Sequence, residues 1–558
     1  MTPVRESIAA IIRAGFERAQ RAGALPQFEI PAIVVERPRQ EGFGDYACAA
    51  AMQAARLARM APVRIAEAVV ANLPGHDLLS QCSVASPGFI NVTLSDAWLA
   101  AQVQTVLDEG DRFGRVNVGN GLRVQVEYGS ANPTGPLHVG FARNVVIGDA
   151  LANVLAEAGY SVQREYYVND AGTQMVLFGQ SLYARYAQAL GLDVPVPENG
   201  YQGFYLAEWG REIAAEQGRR FLDLPYEQAT TDIAYYGLEK KVLTGVRQDL
   251  EAMGIRYDWW FSERQLYSDG SYEKAMAILR QGGYVEEHDG AVWFTASKLG
   301  ADKDEVLVRS SGLPGYFASD VAYHYNKFVT RGFQWVIDVW GADHQGHVPR
   351  MKAMMVALGL DPKQLEIIIY QLVTLKRGGE VVRLSKRTGD IITLRELLDE
   401  VSADAVRYFL LSRSADSQMD FDLDLAVKQS EENPVFYVQY AHARIASVLR
   451  LAEASGVGFE DADLALLRHP AEMSLIRQML QLPEVIADAA RDLAPHRLAY
   501  YAYDLARAFH VFYRDCRIVS SLDEDRPLTK ARLKLAAAAK VALARTLAVM
   551  GMTAPERM

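Results

Sequence analysis

Two short segments carry residue types that could bind a triphosphate, and the first spans residues 130–140. It places Asn132 and His138 in a turn rich in glycine and proline. The alternating apolar pattern of residues 124–127 predicts a strand before this turn, and apolar residues at helical spacing predict a helix after it. A helix that begins there presents unpaired N–H groups and a positive dipole end, which favour a phosphate. An ordinary strand-to-helix turn is an equally good interpretation of this segment alone.

The second segment, residues 382–389, lies far downstream. Lys386 and Arg387 follow Ser385 there, and glycines at 378–379 and 389 flank them. Glycine gives a loop conformational freedom, so the two cations can move while they stay near one site. The alternative interpretation is a solvated surface loop.

Together the two segments could activate a carboxylate with ATP, a reaction that depends on positioning and on stabilising charge at the phosphates. His138 and Lys386 could hold the phosphates from opposite sides. Asp343, after Gly341 at the end of an apolar strand, could accept the ribose hydroxyls, as acidic residues do in other nucleotide folds. For His344 a structural role and a ligand contact are both open.

Strand and helix patterns alternate between about 111 and 395, which predicts a parallel sheet covered by helices on both faces. Residues 173–300 are rich in aromatic residues and mostly helical, and we interpret them as an insertion. The sheet is expected to resume at 334–340, and a further strand is expected at 365–375. Ligands bind such sheets at the carboxyl ends of the strands, so the glycine-bearing turns should open onto one edge.

The two ends of the chain differ from this middle region. Residues 1–110 predict an α+β module that opens with an amphipathic helix bearing Ile8, Ile11, Ile12 and Phe16, followed by an alanine-rich helix from Tyr46. Residues 396–558 predict an all-α bundle without strands. We therefore expect an α/β protein with a Rossmann-like parallel-sheet domain at 111–395, an N-terminal α+β domain and a C-terminal all-α helical bundle.

Composition limits the class of protein. The 558 residues, half of them apolar, have a net charge of −11, which argues against a protein that coats nucleic acid through its bulk charge. Residues 501–558 are locally positive, with ten Lys or Arg against six Asp or Glu. Three scattered cysteines and no apolar run of membrane length predict a cytoplasmic location, no membrane contact and no bound metal. A monomer is expected.

The two segments resemble signatures of the class I aminoacyl-tRNA synthetases. The family's His-Ile-Gly-His appears here as His-Val-Gly-Phe at 138–141, and its Lys-Met-Ser-Lys-Ser appears as Arg-Leu-Ser-Lys-Arg at 383–387. Within the class, matches along nearly the whole chain resemble arginyl-tRNA synthetases. They are found at 130–140, 164–172, 316–324, 339–344, 414–422 and 551–558.

The resemblance implies an arginine–tRNA ligase that forms arginyl-adenylate and transfers arginine to tRNA(Arg). Its substrates would be L-arginine and ATP with Mg²⁺, and activation would depend on bound tRNA. It implies His138 and Lys386 as catalytic residues, with ATP-binding residues at His138, Gly140, Gly341, Asp343, His344, Ser385, Lys386 and Arg387. The implied arginine-binding residues are Glu127, Ser130, Asn132, Glu263, Tyr316 and Asp320. By sequence alone these acids would be ordinary surface residues.

Carboxylates and a flat aromatic face recognise a guanidinium best, so Asp320 and Glu263 would pair with it. Asn132 and Glu127 would orient the amino and carboxylate end of the substrate. The first module would contact the outer corner of the tRNA, or serve only in folding. The C-terminal helices would read the anticodon by stacking and by cationic contacts, with Tyr500, Tyr501, Tyr503, Tyr513, Arg514 and Arg517 as candidates.

One departure from the family pattern bears on activity. Phe141 stands where the first signature normally ends in a second histidine, and a phenyl ring cannot donate a hydrogen bond to ATP. This predicts slower activation. The alternative function is a catalytically impaired tRNA-binding paralogue, and a more distant one is a nucleotidyltransferase on the same fold. The latter would not need the long helical C-terminus.

Overall fold

A computed structural model of the chain describes residues 2–38, 40, 42–382 and 392–558. The N-terminal part packs α-helices on a four-stranded antiparallel sheet with the order β1-β2-β4-β3. Its elements are α1 (Val4–Arg21), β1 (Val35–Glu36), β2 (Tyr46–Cys48), α2 (Ala50–Ala58), α3 (Pro62–Ala71), β3 (Leu79–Ala85), β4 (Phe89–Leu94) and α4 (Asp96–Glu109). The predicted apolar face of α1 is buried. Tyr46 begins a strand, contrary to the prediction of a helix, because Tyr46 and Cys48 bury one face of β2.

The middle of the chain builds a five-stranded parallel sheet with the order β12-β11-β5-β6-β7. Its elements are β5 (Arg123–Glu127), α5 (Phe141–Glu157), β6 (Ser161–Val168), α6 (Gly172–Ala189), α7 (Phe204–Gln217), α8 (Tyr226–Gly237), α9 (Thr244–Ala252), β7 (Trp259–Ser262), α10 (Gln265–Ser268), α11 (Ser271–Gln281), β8 (Val285–His288), β9 (Ala291–Phe294), β10 (Glu305–Val308), α12 (Tyr316–Tyr325), β11 (Trp335–Gly341), α13 (Val348–Ala357) and β12 (Leu365–Tyr370). The crossover direction reverses between β5 and β11, which is where ligands bind in such sheets.

The region between β6 and β11 differs from expectation. Helices α6 to α9 are inserted after β6, but β7 pairs with β6 in parallel, so the sheet resumes at Trp259 and not at 334. Strands β8 to β10 then form a separate antiparallel sheet. A π-helical segment, Asn326–Thr330, directly follows α12 and leads toward β11.

The C-terminal part is mostly helical. Its elements are β13 (Val373–Arg377), β14 (Glu380–Val381), α14 (Leu394–Glu400), α15 (Ala403–Leu411), β15 (Met419–Asp422), α16 (Leu423–Ala426), α17 (Pro434–Ala454), α18 (Pro470–Met479), α19 (Leu482–Arg491), α20 (Arg497–Asp515) and α21 (Arg526–Val549). The predicted strand at 365–375 is two strands in different sheets. Strand β15, which pairs with β13, lies in the region predicted to lack strands, because Met419 and Phe421 alternate with exposed acids.

Buried polar side chains join these parts. The guanidinium of Arg407 in α15 is fully buried; it donates to the carbonyls of Met253 and Met550, each at 2.9 Å, and to the carboxylate of Asp149 in α5. None of the helices in the described ranges combines the length and apolar character needed to cross a membrane.

Candidate active site

Three acidic side chains stand in a row across neighbouring strands, at the last residue of β5 and in the middle of β6 and β11. The register pairs Glu127 in β5 with Glu165 in β6 on one side and with Asp338 in β11 on the other. Asp338 and Glu165 are fully buried, and Glu127 is 8% exposed. Three carboxylates so close together require cations, since an unpaired buried charge is costly.

The cations come from the segment that follows α12. The ammonium of Lys327 donates to Glu127 Oε2 at 2.6 Å and to Asp338 Oδ1 at 2.8 Å. Arg331 forms a two-pronged ion pair with Glu165, with Nη2 at 2.9 Å from Oε1. Burial raises the pKa of Glu127, whereas for Asp338 the attraction of Lys327 and His324 outweighs burial and lowers the pKa to about 2.

His324 connects this row to the pocket above it. Its Nδ1 lies 2.8 Å from the carbonyl oxygen of Asp320, and its Nε2 lies 2.9 Å from Asp338 Oδ2. A carbonyl oxygen can only accept, and the low pKa of Asp338 keeps that carboxyl ionised. The His324 ring thus joins the backbone of α12 to the Asp338 carboxylate in β11.

Two further acids, Glu263 after β7 and Asp320 in α12, face open space. Among the residues that the structure describes, neither carboxyl has an ion-pair partner, although Ser319 and Tyr167 hydrogen bond to Glu263. Burial raises the pKa of both groups. For Asp320 the neighbouring carboxylates of Glu127, Glu263 and Asp338 add to this effect, and its pKa reaches about 7.

Two adjoining cavities surround these acids. The larger, about 710 Å³, is lined by Glu263, Tyr267 and Ser319, and the smaller, about 280 Å³, is lined by Asp320. Both are bordered by Tyr316, whose ring is largely exposed at the mouth. The guanidinium of Arg309 lies 5.5 Å from the centre of that ring.

The turn after β5 contains four of the candidate residues. The hydroxyl of Ser130 donates to Glu127 Oε1 at 3.1 Å, and Asn132 is exposed. His138 Nδ1 accepts the N–H of Gly140 at 2.9 Å, so Nε2 carries the proton of the neutral ring, and burial lowers the pKa of His138. A Cβ at Gly140 would come 2.9 Å from that same nitrogen. Helix α5 begins three residues after His138, at Phe141, which is half-buried against the core.

Asp343 and His344 follow β11, the strand beside β5. Both are well exposed, and His344 Nε2 lies 3.4 Å from Asp343 Oδ2. Asn144 in α5 ties the two strand ends together: its Oδ1 accepts the N–H of Gly129 at 2.6 Å, and its Nδ2 donates to the carbonyl of Val339 at 2.8 Å. A Cβ at Gly341 would lie 2.5 Å from Asp343 Oδ1, so a side chain at this position would displace the exposed Asp343 carboxylate.

The second signature, with Ser385, Lys386 and Arg387, lies outside the described residues. The chain that follows it is described, however, and it pairs with the first signature. Val139 N–H donates to the carbonyl of Ile392 at 3.0 Å, and Thr393 forms a β-bridge with His138.

The candidate RNA-binding residues lie on α20 and just after it. Tyr500, Tyr503 and Tyr513 are exposed, whereas Tyr501 is 3% exposed and its hydroxyl donates to the carbonyl of Met479 at 3.0 Å. Because Tyr501 has no free ring face, we leave it out of any RNA surface. Arg514 pairs with Asp515 at 2.7 Å, and Arg517 donates to the carbonyl of Val519 at 3.3 Å.

Sequence analysis missed several residues of the site. The matching segment 316–324 contains His324 and Ser319, and the segment 164–172 contains Glu165 and Tyr167, yet nothing in them indicated which side chains point inward. Lys327 and Asp338 lie outside both segments. Asp338 could have been found as a charged residue within the apolar run 335–340, since such residues are buried only when paired, whereas Lys327 stands in no such run. In the described ranges no group of three or more His, Cys, Asp or Glu side chains is arranged to hold a metal ion.

Comparison with known proteins identifies the family. Residues 102–430 match the catalytic domain of class I tRNA synthetases (R), residues 4–94 match the arginyl-tRNA synthetase N-terminal domain, and residues 438–558 match the DALR anticodon binding domain. Arginine–tRNA ligases from Dehalococcoides mccartyi and Heliobacterium modesticaldum are 50% and 49% identical, the first over 97% of both chains and the second over 100% of this chain and 99% of its own.

A solved structure supports the same fold. The arginyl-tRNA synthetase of Thermus thermophilus superimposes with a TM-score of 0.76 over 100% of both chains at 22% identity. The predicted fold class, a Rossmann-like domain with an N-terminal α+β domain and a C-terminal helical domain, is confirmed. The chain belongs to the arginyl-tRNA synthetase family.

Proposed function

We propose that the cleft at the carboxyl edge of the parallel sheet carries out the arginine–tRNA ligase reaction. A carboxylate oxygen of arginine attacks the α-phosphorus of ATP, pyrophosphate leaves, and a hydroxyl of the terminal ribose of tRNA(Arg) then takes the arginyl group with release of AMP. The observation that carries this proposal is a pair of carboxyls, Glu263 and Asp320, that line adjoining cavities and have no ion-pair partner among the described residues.

In this proposal Asp320 and Glu263 bind the guanidinium of arginine. Both side chains line cavities bordered by Tyr316, so a guanidinium between them would lie against an aromatic face. Arginine would bring a positive charge to these two carboxyls, and bidentate pairing with carboxylates favours a planar guanidinium over an ammonium. Glu127, Ser130 and Asn132, at the sheet end of the cleft, orient the amino and carboxylate groups.

ATP would bind on the side of the sheet formed by β5 and β11. His138 offers its Nε2–H to the phosphates from a neutral ring, Gly140 admits them close to the backbone, and Gly341, Asp343 and His344 hold the ribose side. Lys386, with Ser385 and Arg387, would complete the phosphate site. Lys386 is six residues from Ile392, so the chain can span at most roughly 20 Å from that anchor beside His138. Mg²⁺ enters with ATP as part of the substrate.

We further propose that the α20 surface, with Tyr500, Tyr513, Arg514 and Arg517, contacts the anticodon loop of tRNA. Exposed rings offer stacking faces to splayed bases, and the guanidinium groups suit the phosphate backbone. The proposal also includes three domains, a monomeric state and a cytoplasmic location. The domains comprise residues 1–110, 111–395 and 396–558. The three cysteines, none of them in a disulfide, suit a reducing compartment.

The alternative, an impaired tRNA-binding paralogue, rested on Phe141. Nothing in the relatives favours this alternative. The matched arginine–tRNA ligases share about half of their residues with this chain, and the match covers nearly the full length of both proteins. Phe141 packs on the core at the start of α5. Of the two ring positions in the first signature, only His138 can therefore donate a hydrogen bond to ATP.

Arginine-dependent exchange of labelled pyrophosphate into ATP tests the proposal, measured with and without tRNA(Arg). We expect exchange that depends on arginine, together with arginylation of the tRNA. Folded protein that binds tRNA but shows neither reaction would support the paralogue instead.

A further inference from the structure

Lys327 lies beneath the cleft and is not among the side chains that line either cavity. Its side chain is 0% exposed, and its ammonium contacts Glu127 and Asp338 at 2.6 and 2.8 Å. The centre of the Tyr323 ring lies 4.2 Å from the same nitrogen. The three N–H directions of the ammonium are thus engaged by two carboxylates and one aromatic face, which fixes its position.

The two carboxylates that share Lys327 differ in exposure. Asp338 is fully buried and also binds His324, so it anchors the ammonium in the core. Glu127 keeps 8% of its surface exposed, and its Oε1 accepts the hydroxyl of Ser130, which is an exposed residue. Within this buried cluster, Lys327 is the cation that both carboxylates contact.

We propose that Lys327 is a positioning residue for arginine, which keeps Glu127 ionised and oriented toward the α-amino group of the substrate. This inference rests on the arginine-binding function proposed above. It adds a residue that acts through Glu127 and does not itself touch the substrate.

The hydrogen bonds of Glu127 leave room for a substrate ammonium. Lys327 occupies one lone-pair position on Oε2 and Ser130 occupies one on Oε1, while a carboxylate offers about four. Without Lys327, Glu127 and Asp338 would be like charges on adjacent strands at paired register positions. One of them would then take up a proton, and a protonated Glu127 binds an ammonium poorly.

The test compares two ligands that differ only in the amino group: L-arginine and 5-guanidinopentanoate, which lacks it. In the wild-type chain we expect arginine to bind at least about tenfold more tightly, as a charged hydrogen bond would give. Lys327→Met should remove most of this difference by weakening arginine and leaving 5-guanidinopentanoate within about twofold. Isothermal titration calorimetry on the full chain measures both dissociation constants.

A buried lysine elsewhere provides the matched control. Lys534 in α21 is 7% exposed and donates to the carbonyl of Glu460 at 3.0 Å. Lys534→Met removes a buried ammonium as well, but it should leave the preference for arginine unchanged. General destabilisation would weaken both ligands alike in either variant, so it cannot imitate the selective loss.

A double-substitution cycle tests the route through Glu127. Glu127→Gln should cause about the same loss of preference as Lys327→Met, and the two together should cause no more than either one, because they remove one interaction. Additive losses would mean that Lys327 acts independently of Glu127 and would overturn the proposal.

A second variant keeps the proposal testable if Lys327→Met does not fold. Lys327→Met with Asp338→Asn removes the cation together with its anchoring carboxylate, so no unpaired charge of that pair stays buried. It should also lose the preference for arginine, because burial alone raises the pKa of Glu127 and Lys327 would no longer oppose that effect. A wild-type preference in this variant would overturn the role of Lys327. If the wild-type chain neither binds arginine nor arginylates tRNA, the proposed function itself fails; if it arginylates tRNA but binds both ligands equally, only the inference fails.

Discussion

The backbone N–H of Val139 donates to the carbonyl of Ile392 at 3.0 Å, which joins the turn after β5 to the chain that follows the second signature. Thr393 next to it forms a β-bridge with His138 and also caps α14 through a hydrogen bond to Glu396. The two segments that could bind a triphosphate are more than 240 positions apart in the sequence, yet they are tied at this point. Under the proposed function, the cations of the second signature would act close to His138.

Lys386→Ala should slow amino acid activation far more than it weakens arginine binding. A lysine that holds the phosphates stabilises charge that develops only as pyrophosphate leaves, so we expect the exchange rate at saturating substrate to fall about 100-fold or more. The dissociation constant of arginine should stay within about twofold. Pyrophosphate exchange and calorimetry measure the two quantities.

Lys363→Ala is the matched control for Lys386. Lys363 is an exposed lysine just before β12, at the amino edge of the sheet and hence away from the cleft. It should leave both quantities unchanged. Equal losses of rate and affinity in Lys386→Ala would contradict a phosphate-clamping role.

Arginine binding should strengthen as pH rises through neutrality. Burial and the nearby carboxylates raise the pKa of Asp320 to about 7, so below that pH the group is largely protonated and cannot pair with a guanidinium. For a single group with this pKa, the Michaelis constant for arginine should fall roughly tenfold between about pH 6 and pH 8. The raised pKa of Glu263 acts in the same direction.

Asp320→Asn tests whether protonation of the Asp320 carboxyl causes this pH dependence. The amide should weaken arginine binding and flatten most of the pH dependence, and the bond from His324 should persist because it uses the carbonyl of residue 320. Steady-state kinetics from pH 6 to 8, at saturating ATP and tRNA, give the profile. An unchanged affinity in this variant would exclude Asp320 from the pocket.

Tyr513→Ala should raise the Michaelis constant for tRNA. Arg444 in α17 lies between two rings, with its guanidinium 4.4 Å from the centre of Tyr440 and 4.8 Å from that of Tyr513. Loss of an exposed ring that stacks on a base should weaken tRNA binding about tenfold, and arginine binding should not change. Leu451→Ala, which removes an exposed apolar side chain from α17, should leave tRNA binding unaltered. An equal effect of both variants would point to general damage of the helical domain.

Local sequence patterns were sufficient to predict elements that bury one apolar face against the core. The apolar stripe of α1 was predicted from spacing alone, because a buried stripe on a helix shows in the sequence. Strands β7 and β15 were missed because each has only four residues, which is too short for periodicity to separate a strand from a turn.

The charged floor of the site could not be predicted in the same way. The row of Glu165, Glu127 and Asp338 exists only because the parallel register aligns three strands that are far apart in the chain. Lys327 completes that row from a π-helical segment, whose i→i+5 bonding shifts the side chains that follow. The acids that contact open space, Glu263 and Asp320, were found through family resemblance, which carries such three-dimensional information.

Gly551→Ala should destabilise the whole protein through Arg407. Gly551 has a φ of +72°, and a Cβ there would lie 1.8 Å from Nη2 of the buried guanidinium that joins α15 to Asp149, Met253 and Met550. The guanidinium cannot move without leaving a buried charge poorly paired, which costs about 3–5 kcal/mol, and the left-handed backbone adds about 1–2 kcal/mol. Urea unfolding measures the loss.

Gly456→Ala separates the two contributions. Gly456 has nearly the same φ, +68°, but a Cβ there meets nothing within 4 Å. This variant should therefore lose only the backbone contribution, about 1–2 kcal/mol. Equal losses at both glycines would show that the chain accommodates the added methyl group by shifting Arg407 at no cost. A larger loss at Gly551 would establish that the joint between the catalytic sheet and the C-terminal helices depends on the placement of that guanidinium.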